Sequence, residues 1–201
     1  MRSVAKLMKN WQFTGPDGKT TAVELPHTWN AKDGQDGGND YWRGTCTYQT
    51  SFAVPAYDPA AQEVWLQFEG VNSSAVVTLN GTLLCTHDGG YSTFRAEVTK
   101  LLQPENVLMV QVDNSVNDHV YPQKADFTFY GGIYRDVSLL VVSKDHIALG
   151  HFGDTGVKIT PTLKKDTADV RVETRVEGKG TVNVTLLDAE GKTVAAAEGA
   201  D

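Results

Sequence analysis

The side chains that most often perform acid–base, nucleophilic or metal chemistry occur here without the spacing that such chemistry requires. Cys46 and Cys85 lack the paired spacing of a zinc site. His27 and His87 lie in segments rich in Trp and Gly, where hydrogen bonding within a loop is the expected role. The sequence has no nucleophile elbow and no phosphate-binding loop. Nothing in it makes two Asp or Glu carboxyl groups converge, so it predicts no catalytic residue and no metal site within these 201 residues.

A series of short aromatic and glycine-rich segments carries most of the information. Listed by position, they are 25–30 (LPHTWN), 33–44 (DGQDGGNDYWRG), 68–71 (FEGV), 79–81 (LNG), 87–94 (HDGGYSTF), 112–114 (VDN), and 126–127 (DF) with 130–137 (YGGIYRDV). An exposed indole can stack on the apolar face of a sugar ring, and Trp42 is the candidate for that role. Core packing is the alternative for Trp42 and the expected role of the other three tryptophans.

Composition and charge exclude several classes of protein. The formal net charge is -7, and 18 Lys and Arg are scattered among 25 Asp and Glu. A nucleic-acid partner is therefore not expected, because such proteins usually carry a basic stripe. No apolar run approaches the roughly 18 residues of a membrane helix, so no membrane partner is expected. No apolar segment follows the charged N-terminus, which favours a cytoplasmic location.

The positions of the apolar residues repeat every two residues, which predicts strands. Residues 64–69 and 107–112 alternate, and 136–142 are nearly all apolar. Asn80-Gly81 between two apolar runs predicts a hairpin with a type I′ turn. Only 96–102 could hold a helical turn, which Pro104 ends. Cys46 and Cys85 lie in strand-like segments, so buried free thiols are expected, with a bridge between them left open. The fold class is therefore all-β, a sandwich or jelly roll.

The sequence changes character near residue 144. From 168 onward, Val170, Val172, Thr174 and Val176 face one way and charged residues face the other. This strict alternation is typical of an immunoglobulin-like sandwich, which needs about 100 residues. Residues 144–201 number 201 - 143 = 58. We therefore expect a complete domain at 1–143 and the truncated N-terminal part of an immunoglobulin-like sandwich at 144–201.

In their order, the aromatic and glycine-rich segments resemble the N-terminal sugar-binding domain of glycoside hydrolase family 2. The resemblance covers roughly residues 11–142, and residues 152–157 resemble the opening of that family's immunoglobulin-like second domain. The family contains β-galactosidases, β-glucuronidases and β-mannosidases. The resemblance implies a galactose-binding-domain-like jelly roll followed by a partial immunoglobulin-like β-sandwich.

The same resemblance implies where hydrolysis takes place. In this family two Glu residues of a third domain, an α/β barrel, act as acid/base and nucleophile in a retaining mechanism. That mechanism requires two carboxyl groups about 5–5.5 Å apart. The catalytic residues are therefore expected outside this chain, and the chain alone is expected to be inert.

The resemblance also assigns substrate-binding residues. Asp126, in an Asp-aromatic dipeptide before the Gly-Ile-aromatic-Arg segment, matches a family Asp that reaches the sugar hydroxyls and in some members a sodium ion; no other cofactor is implied. Asn39 or Asp40 matches a second polar residue, although the loop at 34–44 departs from the family's pattern in length and in sequence. Turn formation and loop capping are the alternatives for these three residues. Arg135 is expected to be a buried structural arginine.

Three functions compete at this point. The leading one is an N-terminal, non-catalytic fragment of a retaining exo-β-glycosidase, a β-galactosidase, that shapes the pocket for a terminal β-galactoside. A β-glucuronidase is the nearest competitor within the family. The others are a carbohydrate-binding module and a structural module. Assembly into homo-oligomers is left open, because family members assemble through several domains.

Overall fold

The computed structural model describes residues 2–32, 41–121 and 127–200, and these form two compact units. The first unit comprises Met1–Val142 and the second comprises Ser143–Asp201. Regular structure is almost entirely β-strand, which confirms the all-β prediction. Within the described residues, no helix is long and apolar enough to cross a membrane.

Within the described residues, the first unit contains twelve strands and one short 3₁₀ helix. In chain order they are β1 (Ser3–Lys6), β2 (Trp11–Thr14), β3 (Thr20–Val23), β4 (His27–Thr28), β5 (Thr45–Ala53), β6 (Gln62–Phe68), β7 (Ser74–Leu79), β8 (Thr82–Asp88), β9 (Phe94–Glu97), the 3₁₀ helix (Thr99–Leu101), β10 (Glu105–Asp113), β11 (Gly132–Ile133) and β12 (Val137–Ser143). One sheet has the order β1-β12-β6-β9, a second has the order β3-β2-β5-β10-β7-β8, and β11 pairs with β4. The two main sheets form the jelly-roll sandwich that the sequence predicts.

Because apolar residues recur at every second position, alternate side chains of a strand face the core and the others face solvent. Strand β5 alternates buried and open positions along its length, and β10 does the same in register with it. Strand β12 is buried on both faces, as its continuous apolar run predicts. Trp11, Tyr48, Phe68 and Phe94 are fully buried between the sheets. Burial of each such ring stabilises the fold by roughly 1.5–3 kcal/mol, so this core fixes the strands that carry the loops.

The predicted hairpin lies between β7 and β8. Asn80 and Gly81 have φ values of 52° and 79°, as a type I′ turn requires, and Leu79 pairs with Thr82 across it. The Asn80 side chain donates to the Leu101 carbonyl at 2.9 Å and accepts from the Val107 amide at 2.9 Å. The turn is therefore fixed both by its backbone angles and by its side chain. The predicted helical turn also exists, as the 3₁₀ helix at Thr99–Leu101.

In the described part of the second unit, 143–200, six strands form three antiparallel pairs. They are β13 (His146–Ile147), β14 (Val157–Leu163), β15 (Ala168–Thr174), β16 (Val176–Glu177), β17 (Thr181–Leu187) and β18 (Thr193–Ala200), paired β13-β16, β14-β15 and β17-β18. The alternation predicted from residue 168 is present: Val172, Thr174 and Val176 are half-buried, and the charged residues between them are exposed. The strand partner changes at Arg175, whose amide donates to the Gly156 carbonyl and whose carbonyl accepts from the Ala148 amide.

Both thiols are free; Cys46 is buried and Cys85 is half-buried. Burial raises the pKa of Cys46 to about 12, with a smaller contribution from Asp113, and burial raises the pKa of Cys85 to about 11. The expected result is that neither thiol of the native chain reacts with a disulfide reagent at mildly alkaline pH, because thiolate is the nucleophile. Both should react at once in denaturant, which serves as the control.

The same shifts give a pH dependence of stability. Each thiol has a higher pKa in the folded chain than its ordinary value of 9.0, so the fold favours the neutral form. This contribution to the free energy of unfolding is complete below pH 9.0 and is lost as pH rises toward about 11. In denaturant titrations, the free energy of unfolding of a Cys46→Ser, Cys85→Ser chain should fall less steeply with pH over this range. The same pH dependence in both chains would show that the two thiols do not cause it.

Candidate functional site

Loops from distant parts of the chain meet at one end of the sandwich. The loop after β6 joins β11, because Asn72 and Gly132 exchange two backbone hydrogen bonds at 3.0 and 3.1 Å. Thr28, at the end of β4, donates its hydroxyl to the Gly131 carbonyl at 2.7 Å. The Asn72 side chain donates to the Tyr130 carbonyl at 2.8 Å. We call this end of the sandwich, where the loops around Thr28, Asn72 and residues 130–132 meet, the loop end. It holds most of the aromatic and glycine-rich segments singled out in the sequence.

Two buried asparagines form the floor of this loop end. The Asn30 oxygen accepts from the Gly131 amide at 2.7 Å and from Asn114 Nδ2 at 3.1 Å. The Asn30 Nδ2 donates to the Trp42 carbonyl at 2.9 Å. The Asn114 oxygen accepts from the Gly44 amide at 2.9 Å. Buried amide groups that are bonded in this way hold three separate loops in one arrangement.

Trp42 adjoins the two asparagines, because its carbonyl accepts from Asn30 Nδ2. Its side chain is 38% exposed and its ring meets Trp29 edge to face, with the centroids 6.0 Å apart. Trp29 in turn stacks on Phe13 of the core at 6.0 Å. Trp42 is therefore held by its carbonyl and by one ring edge while part of the indole faces solvent. This geometry suits a stacking platform, and the substrate-binding role of Trp42 stays a prediction.

The other three predicted site residues, Asn39, Asp40 and Asp126, lie outside the described residues. Their roles stay predictions from the sequence. Across residues 2–32, 41–121 and 127–200, no three His, Cys, Asp or Glu side chains are grouped so as to hold a metal ion. The sodium ion implied by the family resemblance concerns Asp126 and also stays a prediction.

Arg135 corrects one expectation, since it is exposed rather than buried. It lies between β11 and β12, outside the strand alternation, and Tyr134 takes the half-buried position beside it. The Tyr134 hydroxyl donates to the Gly90 carbonyl. The Arg135 guanidinium lies 5.8 Å from the Tyr134 ring centroid and donates to the Tyr91 carbonyl at 3.4 Å. Its charge therefore faces solvent at the loop end.

Arg135 belongs to a larger cluster that the sequence analysis did not identify. This tyrosine–arginine cluster consists of Tyr41, Arg43, Tyr91, Tyr130, Tyr134 and Arg135. Tyr134 contacts Tyr91 and Tyr130 edge to face, with centroid distances of 6.2 and 5.0 Å. Arg43 lies 4.6 Å from the Tyr41 ring centroid and donates to its hydroxyl. All six residues belong to glycine-containing segments quoted above, and that shared context was the available signal.

The electrostatics of the cluster leave two cations and several neutral hydroxyls. Burial raises the pKa of Tyr134, and the hydroxyls of Tyr130 and Tyr91 raise it further. Burial also raises the pKa of Tyr91, with contributions from Tyr130 and Tyr41. The hydroxyls of Tyr91 and Tyr134 therefore remain protonated donors over the ordinary pH range. Guanidinium groups, neutral hydroxyls and exposed aromatic faces together are suited to binding a sugar, above all one that carries a carboxylate.

Comparisons with known proteins identify a family for this chain. The profile of the glycosyl hydrolase 2 galactose-binding domain-like family matches residues 38–162. A β-glucuronidase of Bacteroides fragilis is 35% identical over 94% of this chain and 28% of its own length. A β-galactosidase of Thermoanaerobacter pseudethanolicus is 27% identical over 88% of this chain and 24% of its own length.

The fold is shared with solved structures of similar proteins. The crystal structure of an FMN-binding β-glucuronidase from Facaelibacterium prausnitzii L2-6 is 36% identical and superimposes with a TM-score of 0.90. That match covers all of this chain and 32% of the other. The chain thus spans about a quarter to a third of the length of these relatives. On the profile match and the shared sandwich, the chain belongs to the glycosyl hydrolase 2 galactose-binding domain-like family.

Proposed function

We propose that this chain is the N-terminal part of a retaining exo-β-glycosidase and helps to form its substrate pocket. Its loop end forms one wall of the pocket for the terminal sugar, and two Glu carboxyls outside these 201 residues perform the hydrolysis. The relatives named above support the enzyme class, since each is a β-glycosidase. The geometry supports a role in binding rather than hydrolysis, because the described loop end provides aromatic faces and hydrogen-bond donors.

The preferred substrate is a terminal β-glucuronide. The observation that carries this choice is the pair of guanidinium groups, Arg43 and Arg135, at the loop end of an acidic chain. A cation that donates hydrogen bonds to a carboxylate forms shorter and stronger contacts than one that meets a neutral hydroxyl. Two of the three relatives named above are β-glucuronidases.

A terminal β-galactoside is the second candidate. The Asp126-Phe127 dipeptide resembles the β-galactosidase branch of the family, and one relative is a β-galactosidase. In this alternative the Asp126 carboxylate accepts from the sugar hydroxyls, Asn39 or Asp40 makes a further polar contact, and Trp42 stacks on the ring. These contacts orient a neutral sugar without need of the two arginines.

The test uses the complete enzyme with nitrophenyl β-glucuronide and nitrophenyl β-galactoside. Replacing Arg135 by Gln should lower kcat/KM for the glucuronide about tenfold to a hundredfold, as expected for a lost charged hydrogen bond. Its effect on any galactoside activity should be within about threefold. Arg171→Gln, which changes an exposed arginine on β15, is the matched control.

The outcomes separate the two candidates. The wild-type enzyme could hydrolyse the galactoside alone, with activity that is lost in Asp126→Ala and unchanged in Arg135→Gln. This result would show that the substrate is a β-galactoside and not a β-glucuronide. Activity on neither substrate would overturn both. Turnover by the purified 201-residue chain itself would overturn the proposal that the catalytic carboxyls lie elsewhere.

A further inference from the structure

Gly70 lies against the side chain of Arg135 at the loop end. It is a buried residue in the connection between β6 and β7. A Cβ built on Gly70 would lie 3.0 Å from Arg135 Cδ and 3.4 Å from Arg135 Cγ. Non-bonded carbon atoms attract best at about 3.5–4.0 Å, so a side chain at residue 70 would compete with the arginine for the same space. The apolar stem of Arg135 therefore fills the room that the missing side chain leaves.

The charged end of Arg135 is held less firmly than its stem. The side chain is exposed, and its Nη1 donates to the Tyr91 carbonyl at 3.4 Å. That distance exceeds the usual range of about 2.7–3.2 Å for such a bond. The Tyr134 ring centroid lies 5.8 Å from the guanidinium carbon, close to the limit of about 6 Å for a cation–π contact. The packing of the stem therefore contributes most to the direction of the guanidinium.

The backbone around this arginine is held by Asn72, which is buried. Asn72 exchanges two backbone hydrogen bonds with Gly132 and donates its side chain to the Tyr130 carbonyl, both shortly before the arginine in the chain. A Cβ on Gly90 would lie 2.8 Å from Asn72 Cγ, so the same side chain also packs against the loop that carries Tyr91. Both loops are thus positioned by the chain itself, and the conformation of the arginine side chain remains to be fixed.

We propose that Gly70 is a specificity-determining position of the pocket. It lets the stem of Arg135 lie against the backbone, and so directs the guanidinium toward the carboxylate of a terminal uronic acid. This inference rests on the proposed function, in which Arg135 contacts that carboxylate. Gly70 itself touches no sugar and is a positioning residue. Charged hydrogen bonds to a carboxylate depend on direction as well as distance, so displacing the guanidinium weakens them.

The small size of Gly70, rather than its backbone conformation, is what the arginine requires. Gly70 is not among the glycines with positive φ, so alanine meets no strain of the left-handed region there. The new methyl group would meet the Arg135 stem at 3.0 Å and the Gly90 carbonyl oxygen at 3.1 Å. The stem can change rotamer, whereas the Gly90 carbonyl is held by the Tyr134 hydroxyl. The arginine is therefore expected to move first.

The test measures competitive inhibition of the complete enzyme by D-glucuronate and by its uncharged amide, D-glucuronamide, with nitrophenyl β-glucuronide as substrate. Gly70→Ala should raise the inhibition constant of glucuronate about threefold to tenfold, because only the acid offers a charge to Arg135. The constant of the amide should change by less than about twofold. Gly180→Ala is the matched control and should change neither constant, since Gly180 is exposed and a Cβ there would meet nothing within 4 Å.

The double variant Gly70→Ala, Arg135→Ala shows whether the glycine acts through the arginine. Without the arginine stem the methyl group has room, so adding Gly70→Ala to Arg135→Ala should change the glucuronate constant by less than about 1.5-fold. The same pair tests folding. If the collision with the stem lowers the urea unfolding midpoint of the Gly70→Ala chain, the double variant should recover it.

Four results would overturn the inference. An unchanged glucuronate constant in Gly70→Ala, beside a raised one in Arg135→Ala, would show that Gly70 does not direct the arginine, and the proposed function would stand. An equal effect of Gly70→Ala with and without the arginine would assign the glycine to the loop at Gly90. A lowered midpoint that the double variant does not recover would make its role structural only. An unchanged glucuronate constant in Arg135→Ala would overturn the glucuronide preference and this inference together.

Discussion

Replacing Asn30 by alanine is expected to lower the free energy of unfolding of the first unit by about 2–4 kcal/mol. The substitution removes the hydrogen bonds of Asn30 to the Gly131 amide, the Asn114 side chain and the Trp42 carbonyl. Asn114 Nδ2 keeps long contacts to the Trp42 and Phe129 carbonyls at 3.5 and 3.4 Å, so the Gly131 amide loses most. Asn30 is buried, so water does not readily replace it. Since each buried group without a partner costs about 1–3 kcal/mol, the loss exceeds that of the contacts alone.

The measurement is urea unfolding followed by tryptophan fluorescence. All four tryptophans lie in the first unit, so the signal reports that unit alone. Asn183→Ala, on the exposed surface of β17, is the matched control and should change nothing measurable in this signal. Because Asn30 also positions Trp42, acrylamide should quench the native fluorescence of the Asn30 variant more strongly. A variant as stable as the wild type would show that the loop end does not depend on this network.

Local patterns predicted the elements whose structure is local. The alternation at 64–69 and 107–112 and the Asn80-Gly81 turn each depend on a few neighbouring residues, and β6, β10 and the hairpin follow from them. The alternation at 172–177 likewise predicted which side chains are half-buried, but not the change of strand partner at Arg175. That change depends on Gly156 and Ala148, and no pattern within 168–177 contains that information.

The candidate site depends on contacts that span much of the chain. Asn30 and Asn114 are 84 positions apart, and Tyr134 reaches a carbonyl 44 positions away. The sequence identified the glycine-rich segments that make such approaches possible, but not which of them meet. Arg135 illustrates this limit, because its neighbours suggested a strand and burial, whereas the turn between β11 and β12 directs it outward.

Gly132 shows how closely the backbone must approach for the loop end to form. Its φ is +138°, a value that side-chain-bearing residues rarely adopt. A Cβ at this position would lie 2.4 Å from the His27 carbonyl oxygen and 2.9 Å from the Tyr48 hydroxyl. The His27 ring is hydrogen-bonded to that hydroxyl at 2.7 Å, so neither neighbour can move without breaking another contact. Gly132→Ala therefore combines backbone strain with overpacking, for an expected loss of about 2–5 kcal/mol.

Gly81→Ala separates the two causes. Gly81 also has a positive φ, +79°, but a Cβ there would meet nothing within 4 Å, so only the strain of about 1–2 kcal/mol remains. The difference between the two variants in urea unfolding then measures the cost of separating β11 from β4 and from Asn72. If both variants lose the same free energy of unfolding, the close approach of the backbone at Gly132 contributes nothing to stability. A larger loss at Gly132, accompanied by stronger quenching of Trp42, would show that this approach positions the aromatic wall of the loop end.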